Sequence, residues 1–303
     1  MKIIFFGTSK FSITILKFLI NDNYKLSAVY IKNDILNDVK KKIGPLLLLC
    51  IKKQILLKKN TFLENINFEN FNQFNADVAI TASFGLIIPK RYIKSLRYGF
   101  INIHPSALPR WRGAAPVQRT IMTGDKQALV CCIKMNTALD VGDIIFKRII
   151  KLNTSITSSE FCNLTSKIGG VLIIKTLNII CINKINFIKQ SKNRVLYAKK
   201  IKISERIINF CSNATKINNL IRSFSPKPGA YFVYKNTIIK IIKVVIMKKF
   251  CIFRTGIVLD NNFTISCKNN SIRPLIIQRE GKKTICTKSF LNGFQINKNF
   301  KLC

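Results

Sequence analysis

Short apolar runs alternate with helix-like stretches over the first 135 residues of this chain. Residues 2–6 form a run of the buried-strand type, Gly7-Thr8-Ser9 suits a turn with a helix cap, and residues 10–20 carry one apolar stripe at helical spacing. Four further runs of strand length lie at residues 26–31, 78–82, 99–103 and 128–135. This alternation predicts an α/β domain in which helices cover a mostly parallel sheet and ligands bind at the carboxyl ends of the strands.

The pattern changes in the last third of the chain. A long helical pattern at residues 157–182 precedes a polar stretch, and short β-rich runs then follow at residues 230–234, 238–247, 256–259, 263–267 and 274–278. Short strands at this spacing predict a small antiparallel β-barrel. We therefore predict two domains, residues 1–188 and 205–303, joined by a linker at residues 189–204.

The composition of the chain points to a globular, strongly basic protein. Of the 303 residues, 48% are hydrophobic, which argues against disorder and provides for a core in each domain. The formal net charge of +38 predicts a polyanionic partner, because lysine and arginine near phosphates release counterions. However, Lys, Asn and Ile are abundant throughout, as in proteins encoded by AT-rich genes. The charge alone therefore does not decide between a nucleic-acid partner and a solvated basic surface.

Ten cysteines and a single histidine restrict the metal chemistry of the chain. The sequence has no C-x-x-C motif, and one histidine does not complete a common Cys/His zinc site, so we predict no metal. Scattered thiols are typical of a reducing compartment. No uninterrupted apolar run reaches the roughly 18 residues of a membrane-spanning candidate. These features predict a soluble cytoplasmic protein without a membrane partner.

The segment from residue 99 to residue 143 holds the only histidine and the only tryptophan of the chain. It begins GFINIHPSALPRWRGAAPVQ, and an LDVGD turn follows its later apolar run. On a strand, Asn102 and His104 lie two residues apart and therefore share one face. Asp140, in the turn, can reach the same strand end. A donor amide, an imidazole and a carboxylate are the groups that acyl transfer uses to stabilise an oxyanion and to move a proton.

This segment resembles the active-site stretch of methionyl-tRNA formyltransferases, which read roughly N-[IV]-H-x-S-L-L-P-[RK]-x-R-G-A-A-P-I-Q, followed by L-D-x-G-D. The resemblance continues in order along nearly the whole chain, through IIFFGT at the start, SFGLIIP before the histidine, and GKK and FLNG near the end. It implies a Rossmann-like formyltransferase domain followed by an OB-like domain that helps hold tRNA. The implied reaction moves a formyl group from 10-formyltetrahydrofolate to the α-amine of methionine on initiator tRNA, and we expect a monomer.

The resemblance also implies roles for individual residues. The implied catalytic residues are Asn102, His104 and Asp140. Two loops are implied to line the folate site, namely Phe84, Gly85, Leu86 and Ile87 beside the pterin, and Ser106, Ala107, Leu108 and Pro109 partly through their backbone. The implied tRNA-binding residues are Lys40, Lys41, Lys42, Arg110 and Arg112.

One position and one segment depart from the family pattern. Ala107 stands where the family carries leucine, which affects the packing of the folate pocket more than contacts made by the backbone. Residues 32–45 keep three consecutive lysines but lack the Arg-Gly core of the family's insertion. Attraction to phosphate is then kept, while recognition by arginine forks is weakened.

Other interpretations of these residues stay open. A lone histidine is more often structural than catalytic, Asn102 by itself suits a strand end, and Asp140 suits a turn. Relatives that share the three residues act on other acceptors, so a formyltransferase or hydrolase for a small molecule is one alternative. An RNA-binding relative that has lost catalysis is another. The run RGAAP at residues 112–116 favours the tRNA enzyme, and the joint presence of the three residues favours catalysis.

Overall fold

The structure of the protein is a computed structural model that describes residues 1–32, 44–60, 68–248 and 254–302. The chain divides into two units. The first unit comprises Met1–Pro116, Gln127–Lys151 and Cys162–Lys199, and the second comprises Val117–Lys126, Leu152–Phe161 and Lys200–Cys303. Neither unit is therefore one uninterrupted stretch of chain, and the boundaries near residues 188 and 205 stay a prediction.

A seven-stranded sheet forms the centre of the first unit. Its strands are β1 (Lys2–Gly7), β2 (Lys25–Lys32), β3 (Leu57–Asn60), β4 (Val78–Ala82), β5 (Phe100–His104), β7 (Gln127–Lys134) and β8 (Ile144–Lys151). A separate parallel pair is formed by β6 (Arg112–Gly113) and β9 (Tyr197–Ala198). In the large sheet the strand order is β3-β2-β1-β4-β5-β7-β8. The first five strands in this order are parallel, whereas β7 and β8 are antiparallel to their neighbours, so the predicted mostly parallel sheet is confirmed.

Helices connect these strands. They are α1 (Lys10–Asn21), α2 (Gly44–Lys52), α3 (Phe68–Asn72), α4 (Lys90–Ser95), α5 (Pro116–Met122) and α6 (Ser158–Cys181). Ser9 caps α1 as the sequence predicts, since its Oγ accepts a hydrogen bond from the Ser12 backbone N–H at 3.4 Å. By length and hydropathy α6 alone among the described helices could cross a membrane, but half of its most apolar stretch is buried within the protein. Such a helix is also typical of a protein core.

Aromatic side chains fill one side of the large sheet. Phe6 of β1 stacks on Tyr30 of β2 at 4.8 Å between ring centroids, and it lies 5.4 Å from Phe100 of β5. Phe71 and Phe84 complete this buried cluster. Burying one such side chain contributes about 1.5–3 kcal/mol to the free energy of unfolding. The cluster therefore ties the central strands together and anchors β5 at Phe100, its first residue, while the candidate site lies at the other end of that strand.

The second unit is built on an antiparallel sheet. Its elements are the 3₁₀ helix Ile203–Arg206, α7 (Ala214–Phe224), β10 (Ala230–Tyr234), β11 (Thr237–Met247), β12 (Ile265–Ser266), β13 (Ser271–Arg279), β14 (Thr284–Cys286) and α8 (Thr287–Gly293). Four strands pair in the order β10-β11-β13-β12, and β14 pairs with β13. The predicted fold class, a Rossmann-like domain followed by a small antiparallel OB-like domain, is confirmed.

Some elements differ from the sequence-based prediction. The run at residues 256–259 is not a strand, because only Ile257 and Val258 make isolated bridges. Strand β8 was not predicted. It lies at one end of the sheet order, and its exposed Lys147 and Arg148 interrupt the apolar pattern that marks a buried strand. The polar stretch at residues 189–204 also contributes β9 to the first unit.

Candidate active site

Strand β5 presents Asn102 and His104 on one face. It pairs in parallel with β4, where Thr81 lies opposite Asn102, and antiparallel with β7, where Cys131 lies opposite His104. Ile101 is fully buried, as the apolar half of the alternation requires. The backbone that carries the two polar side chains is therefore held by strands on both sides.

Asp140 reaches this strand end from the turn after β7. Its carboxylate accepts a hydrogen bond from Asn102 Nδ2 at 3.1 Å on Oδ1, and one from the Gly113 backbone N–H at 2.9 Å on Oδ2. The turn is tight. Asp140 has φ of 51°, and a Cβ on Gly142 would lie 1.6 Å from the carbonyl oxygen of Lys134. Only glycine fits at position 142, which explains that residue of the LDVGD motif.

The contacts of His104 determine which ring nitrogen can exchange a proton with a substrate. Nε2 lies 2.9 Å from the carbonyl oxygen of Trp111, and a carbonyl only accepts, so Nε2 carries a hydrogen. Nδ1 lies 3.6 Å from Asp140 Oδ2, beyond hydrogen-bond distance. The imidazole and the carboxylate side chains are only 6% and 10% exposed. Nδ1 is therefore the ring atom that can gain or lose a proton, beside a shielded carboxylate.

Three groups that the sequence did not single out complete this cluster. Thr81 Oγ1 donates to Asn102 Oδ1 at 2.9 Å and so fixes which end of the carboxamide faces Asp140. Gly113 supplies its N–H, and Gln190 holds the backbone of the Asp140 turn. A threonine inside the apolar run VAITA was a usable signal, because a buried hydroxyl needs a partner. No comparable signal marks Gln190, because it lies in a polar stretch 50 residues from the turn that it contacts.

The neighbouring thiols are structural. Burial raises the pKa of the Cys131 thiol to about 12 and that of the Cys132 thiol to about 12. A thiol with so high a pKa holds almost no thiolate at neutral pH, and the thiolate is the nucleophilic form. Among the described residues there is no group of three or more His, Cys, Asp or Glu side chains that could hold a metal ion.

The first predicted folate loop follows β4. Phe84 is buried in the aromatic cluster and Leu86 packs against that cluster, whereas Ile87 is 83% exposed. Gly85 has φ of 80°, and a Cβ there would meet open space. The loop is therefore anchored by its first aromatic residue and leaves the backbone at Gly85 accessible.

The second predicted folate loop leaves β5 directly after His104. Ser106 is fully buried, its backbone N–H donates to the His104 carbonyl oxygen at 3.0 Å, and its Oγ has no hydrogen-bond partner among the described residues. Leu108 is buried against Cys131, while Ala107 and Pro109 are half-buried. Both predicted folate loops therefore begin at the carboxyl ends of neighbouring strands, β4 and β5.

The predicted tRNA-binding residues have different surroundings. The Arg110 guanidinium lies 4.5 Å from the centroid of the Trp111 ring, in cation–π geometry. Arg112 is only 8% exposed and donates from Nε and Nη2 to Gln190 Oε1, at 3.1 and 2.7 Å. Lys40, Lys41 and Lys42 lie outside the described residues.

Comparison with known proteins agrees with this geometry. The chain matches the family model described as "Formyl transferase" over residues 1–177, and the model described as "Formyl transferase, C-terminal domain" over residues 200–295. It is 38% identical over 305 aligned positions to the methionyl-tRNA formyltransferase of Rickettsia felis, with 99% of each chain covered. The chain belongs to the methionyl-tRNA formyltransferase family. The residues that this family's active-site motif names, Asn102, His104 and Asp140, are the three that the structure brings together.

Solved structures of formyltransferases share the fold. The methionyl-tRNA formyltransferase from Clostridium thermocellum superposes with a TM-score of 0.58 at 20% identity, covering 82% of this chain and 95% of that one. An N-formyltransferase from Helicobacter canadensis, in complex with folinic acid and dTDP-3-aminofucose, gives a TM-score of 0.71 at 20% identity, covering 90% and 99%. The fold is therefore shared by formyltransferases with different acceptors and does not by itself identify the acceptor.

Proposed function

We propose that this protein transfers the formyl group of 10-formyltetrahydrofolate to the α-amino group of methionyl-initiator tRNA, which gives N-formylmethionyl-tRNA for translation initiation. The observation that carries this proposal is the convergence of Asn102, His104 and Asp140 at the end of β5, in a chain that belongs to the methionyl-tRNA formyltransferase family.

The hydrogen-bond donors of the site suit a formyl group. An amide nitrogen carries two hydrogens, and Asn102 Nδ2 uses one of them on Asp140. Within the described parts of the chain the other hydrogen has no acceptor, so it is available to a formyl oxygen. The accessible backbone at Gly85 and the loop that starts after His104 support a folate-binding role for residues 84–87 and 106–109.

The reaction forms one carbon–nitrogen bond and breaks another. The α-amine attacks the formyl carbon, the bond from that carbon to the donor nitrogen breaks, and one proton passes from the amine to the departing nitrogen. Asn102 donates to the formyl oxygen as negative charge develops there. A preorganised donor of this kind is worth about 10²–10³-fold in rate.

His104 and Asp140 provide the route for the proton. His104 Nδ1 accepts the amine proton beside the Asp140 carboxylate, which stabilises the resulting imidazolium, and later returns that proton to the departing nitrogen. The Nε2–H bond to Trp111 holds the ring in place during both transfers.

Acceptance of tRNA requires contacts beyond the reacting amine. Arg110, stacked on Trp111, together with Lys40, Lys41 and Lys42, supplies positive charge for the phosphates, and we assign the tRNA-binding domain to residues 205–303. Arg112 was predicted in the same role, but its hydrogen bonds to Gln190 support a positioning role. All eight described cysteines are unpaired, which supports a reducing compartment such as the cytoplasm. We also propose that the protein acts as a monomer.

A second acceptor class is favoured by the likeness to the Helicobacter canadensis N-formyltransferase. The test is incubation of the full chain and the formyl donor with three acceptors in parallel: methionyl-initiator tRNA, an amino-sugar nucleotide, and water alone. We expect N-formylmethionine on the tRNA and little product elsewhere. Formylation of the amino sugar, or hydrolysis of the donor at a comparable rate, would overturn the proposed acceptor.

The full chain is needed for this test. Arg222 donates to the carbonyl oxygens of Ile121 and Ile156, so a chain cut near residue 204 would lose contacts that earlier segments make.

A further inference from the structure

The side-chain amide of Gln190 makes four hydrogen bonds. Nε2 donates to the carbonyl oxygens of Asp140, at 2.8 Å, and Gly142, at 2.7 Å. Oε1 accepts from Arg112 Nε and Nη2, at 3.1 and 2.7 Å. Both amide hydrogens and both lone pairs of the oxygen are therefore used, and the guanidinium determines which end of the amide faces the turn.

Arg112 is held for this purpose by the backbone around it. Strand β6 pairs Arg112 with Tyr197 of β9, and the Arg112 N–H donates to the Leu196 carbonyl oxygen at 3.0 Å. The residue is only 8% exposed, and one edge of its guanidinium is occupied by Gln190. Bidentate contact with a phosphate needs an accessible planar edge, and a guanidinium so deeply buried, with one edge already occupied, has little surface left for it.

The turn that carries Asp140 needs support from outside. Residues 136–139 are exposed, and Asp140 lies in the left-handed region, with φ of 51°. A strained backbone of this kind persists only where its surroundings determine it. Gln190 binds carbonyl oxygens on both sides of Val141, and so fixes the turn at the point where the carboxylate must meet Asn102 and Gly113.

We propose that Gln190 and Arg112 form a clamp that positions the Asp140 carboxylate, and that Arg112 influences formyl transfer through this clamp and is not a phosphate ligand. The expected effect on kcat rests on the proposed function, whereas the hydrogen bonds of the clamp do not depend on it. Gln190 and Arg112 are positioning residues, because neither touches the reacting atoms.

Hydrogen exchange at the Gly113 amide tests the clamp without any activity. That N–H is bonded to Asp140 Oδ2, so its protection reports on where the carboxylate lies. In Gln190→Met, which is similar in size and has no amide, we expect exchange at Gly113 to accelerate by about tenfold or more. Gln127→Met, at the exposed start of β7, is the matched control and should leave it unchanged. Unchanged exchange in folded Gln190→Met would overturn the clamp.

A second variant keeps the test usable if Gln190→Met does not fold. Gln190→Glu retains oxygens for Arg112 but places an acceptor against two carbonyl oxygens, so it should accelerate Gly113 exchange in the same way. If the residue only fills space, Gln190→Glu should behave like the unsubstituted protein, and the clamp would be wrong.

Kinetics then separate positioning from phosphate binding. Arg112→Lys keeps the positive charge but cannot donate twice to one amide oxygen from a planar edge. The clamp predicts a kcat lower by about tenfold, with the Kd for tRNA changed by less than about twofold. Retained kcat in Arg112→Lys would remove Arg112 from the clamp. A loss of tRNA affinity in Arg112→Met, with a salt slope lower by about one, would identify a phosphate ligand. If the unsubstituted protein formylates no methionyl-tRNA while Gly113 exchange responds as expected, the proposed function fails and the clamp stands.

Discussion

Asn102 Nδ2 donates a hydrogen bond to Asp140 Oδ1 at 3.1 Å across 38 residues of sequence. The same carboxylate lies 3.6 Å from His104 Nδ1 through its other oxygen. One carboxylate therefore lies beside both the amide to which we assign the formyl oxygen and the imidazole to which we assign the amine proton. This link means that the three residues should act as one unit in kinetics.

Removing any member of this unit should lower the rate of formyl transfer. We expect Asn102→Ala, His104→Ala and Asp140→Asn each to reduce kcat by about 10²-fold or more, because each removes an oxyanion donor or part of the proton route. Steady-state rates at saturating substrates measure this effect. Asp143→Asn, three residues beyond Asp140 and without a role in the mechanism, is the control and should stay within about threefold. A variant of the unit that turns over normally would remove that residue from the mechanism.

Thr81→Val should lower activity while changing the packing around position 81 little. Valine fills the same buried space, but the hydroxyl that donates to Asn102 Oδ1 at 2.9 Å is lost, so the carboxamide can rotate away from its productive orientation. A single hydrogen bond is worth about 0.5–1.5 kcal/mol, which corresponds to a kcat lower by about two- to tenfold. Thr81→Ser keeps the hydroxyl and should recover the rate. An equal loss of kcat in both variants, measured beside their Tm values, would show that packing and not the hydroxyl matters.

The affinity for tRNA should fall steeply with salt, whereas the affinity for the folate donor should not. Only tRNA binding releases many counterions from a phosphate backbone, so the logarithm of its association constant should fall linearly with the logarithm of salt concentration. Titrations of each ligand at several salt concentrations measure the two slopes, and Arg110→Ala should reduce the tRNA slope by about one. Equal slopes would mean that the charge of +38 reflects composition and not a polyanion site.

Glu205 should stabilise the second unit at neutral pH but not in acid. Hydrogen bonds from the Arg119 guanidinium, followed by the bond from the Lys202 N–H, hold the pKa of Glu205 below its ordinary value. A lowered folded-state pKa gives stability that is present above the unfolded-state pKa of about 4.3 and is lost as pH falls through the folded-state pKa. Because the pair is partly exposed, we expect Glu205→Gln to cost less than about 1 kcal/mol at neutral pH.

Urea denaturation at about pH 7 and about pH 4 checks this pH dependence. The difference in unfolding free energy between Glu205→Gln and the unsubstituted protein should shrink in acid. Glu280→Gln, at an exposed glutamate of the same unit, is the matched control. A difference that is the same at both pH values would show that the charge of Glu205 is not the source of its effect.

The sequence predicted the parts of the site that depend on local periodicity. Asn102 and His104 share a face because side chains alternate along a strand, and the bounds of β4 and β10 agree with the predicted runs at residues 78–82 and 230–234. The hydrogen-bond partners of these side chains could not be predicted in the same way. Thr81 and Asn102 meet across neighbouring strands, and Gln190 meets the Asp140 turn across 50 residues. Such contacts depend on register and tertiary packing, which local spacing does not encode.

Arg112 illustrates the same limit. The resemblance to methionyl-tRNA formyltransferases implied a contact between tRNA and Arg112, which lies between Trp111 and Gly113 in a strongly basic chain. The fold pairs it with β9 and directs its guanidinium to Gln190, which is why we propose a positioning role for it. Charge in a sequence identifies the residues that can bind an anion, but burial determines which of them remain accessible to it.

Single-turnover formylation of methionyl-initiator tRNA, with an isotopically labelled formyl donor, tests the central claim most directly. The aminoacyl ester is hydrolysed after the reaction, and N-formylmethionine carrying the label is measured by mass spectrometry for the unsubstituted protein and for Asn102→Ala. The account predicts one labelled formyl group on the α-amine of methionine, formed at least about 10²-fold more slowly in the variant. Absence of label on methionine, or an unchanged rate in folded Asn102→Ala, would contradict it.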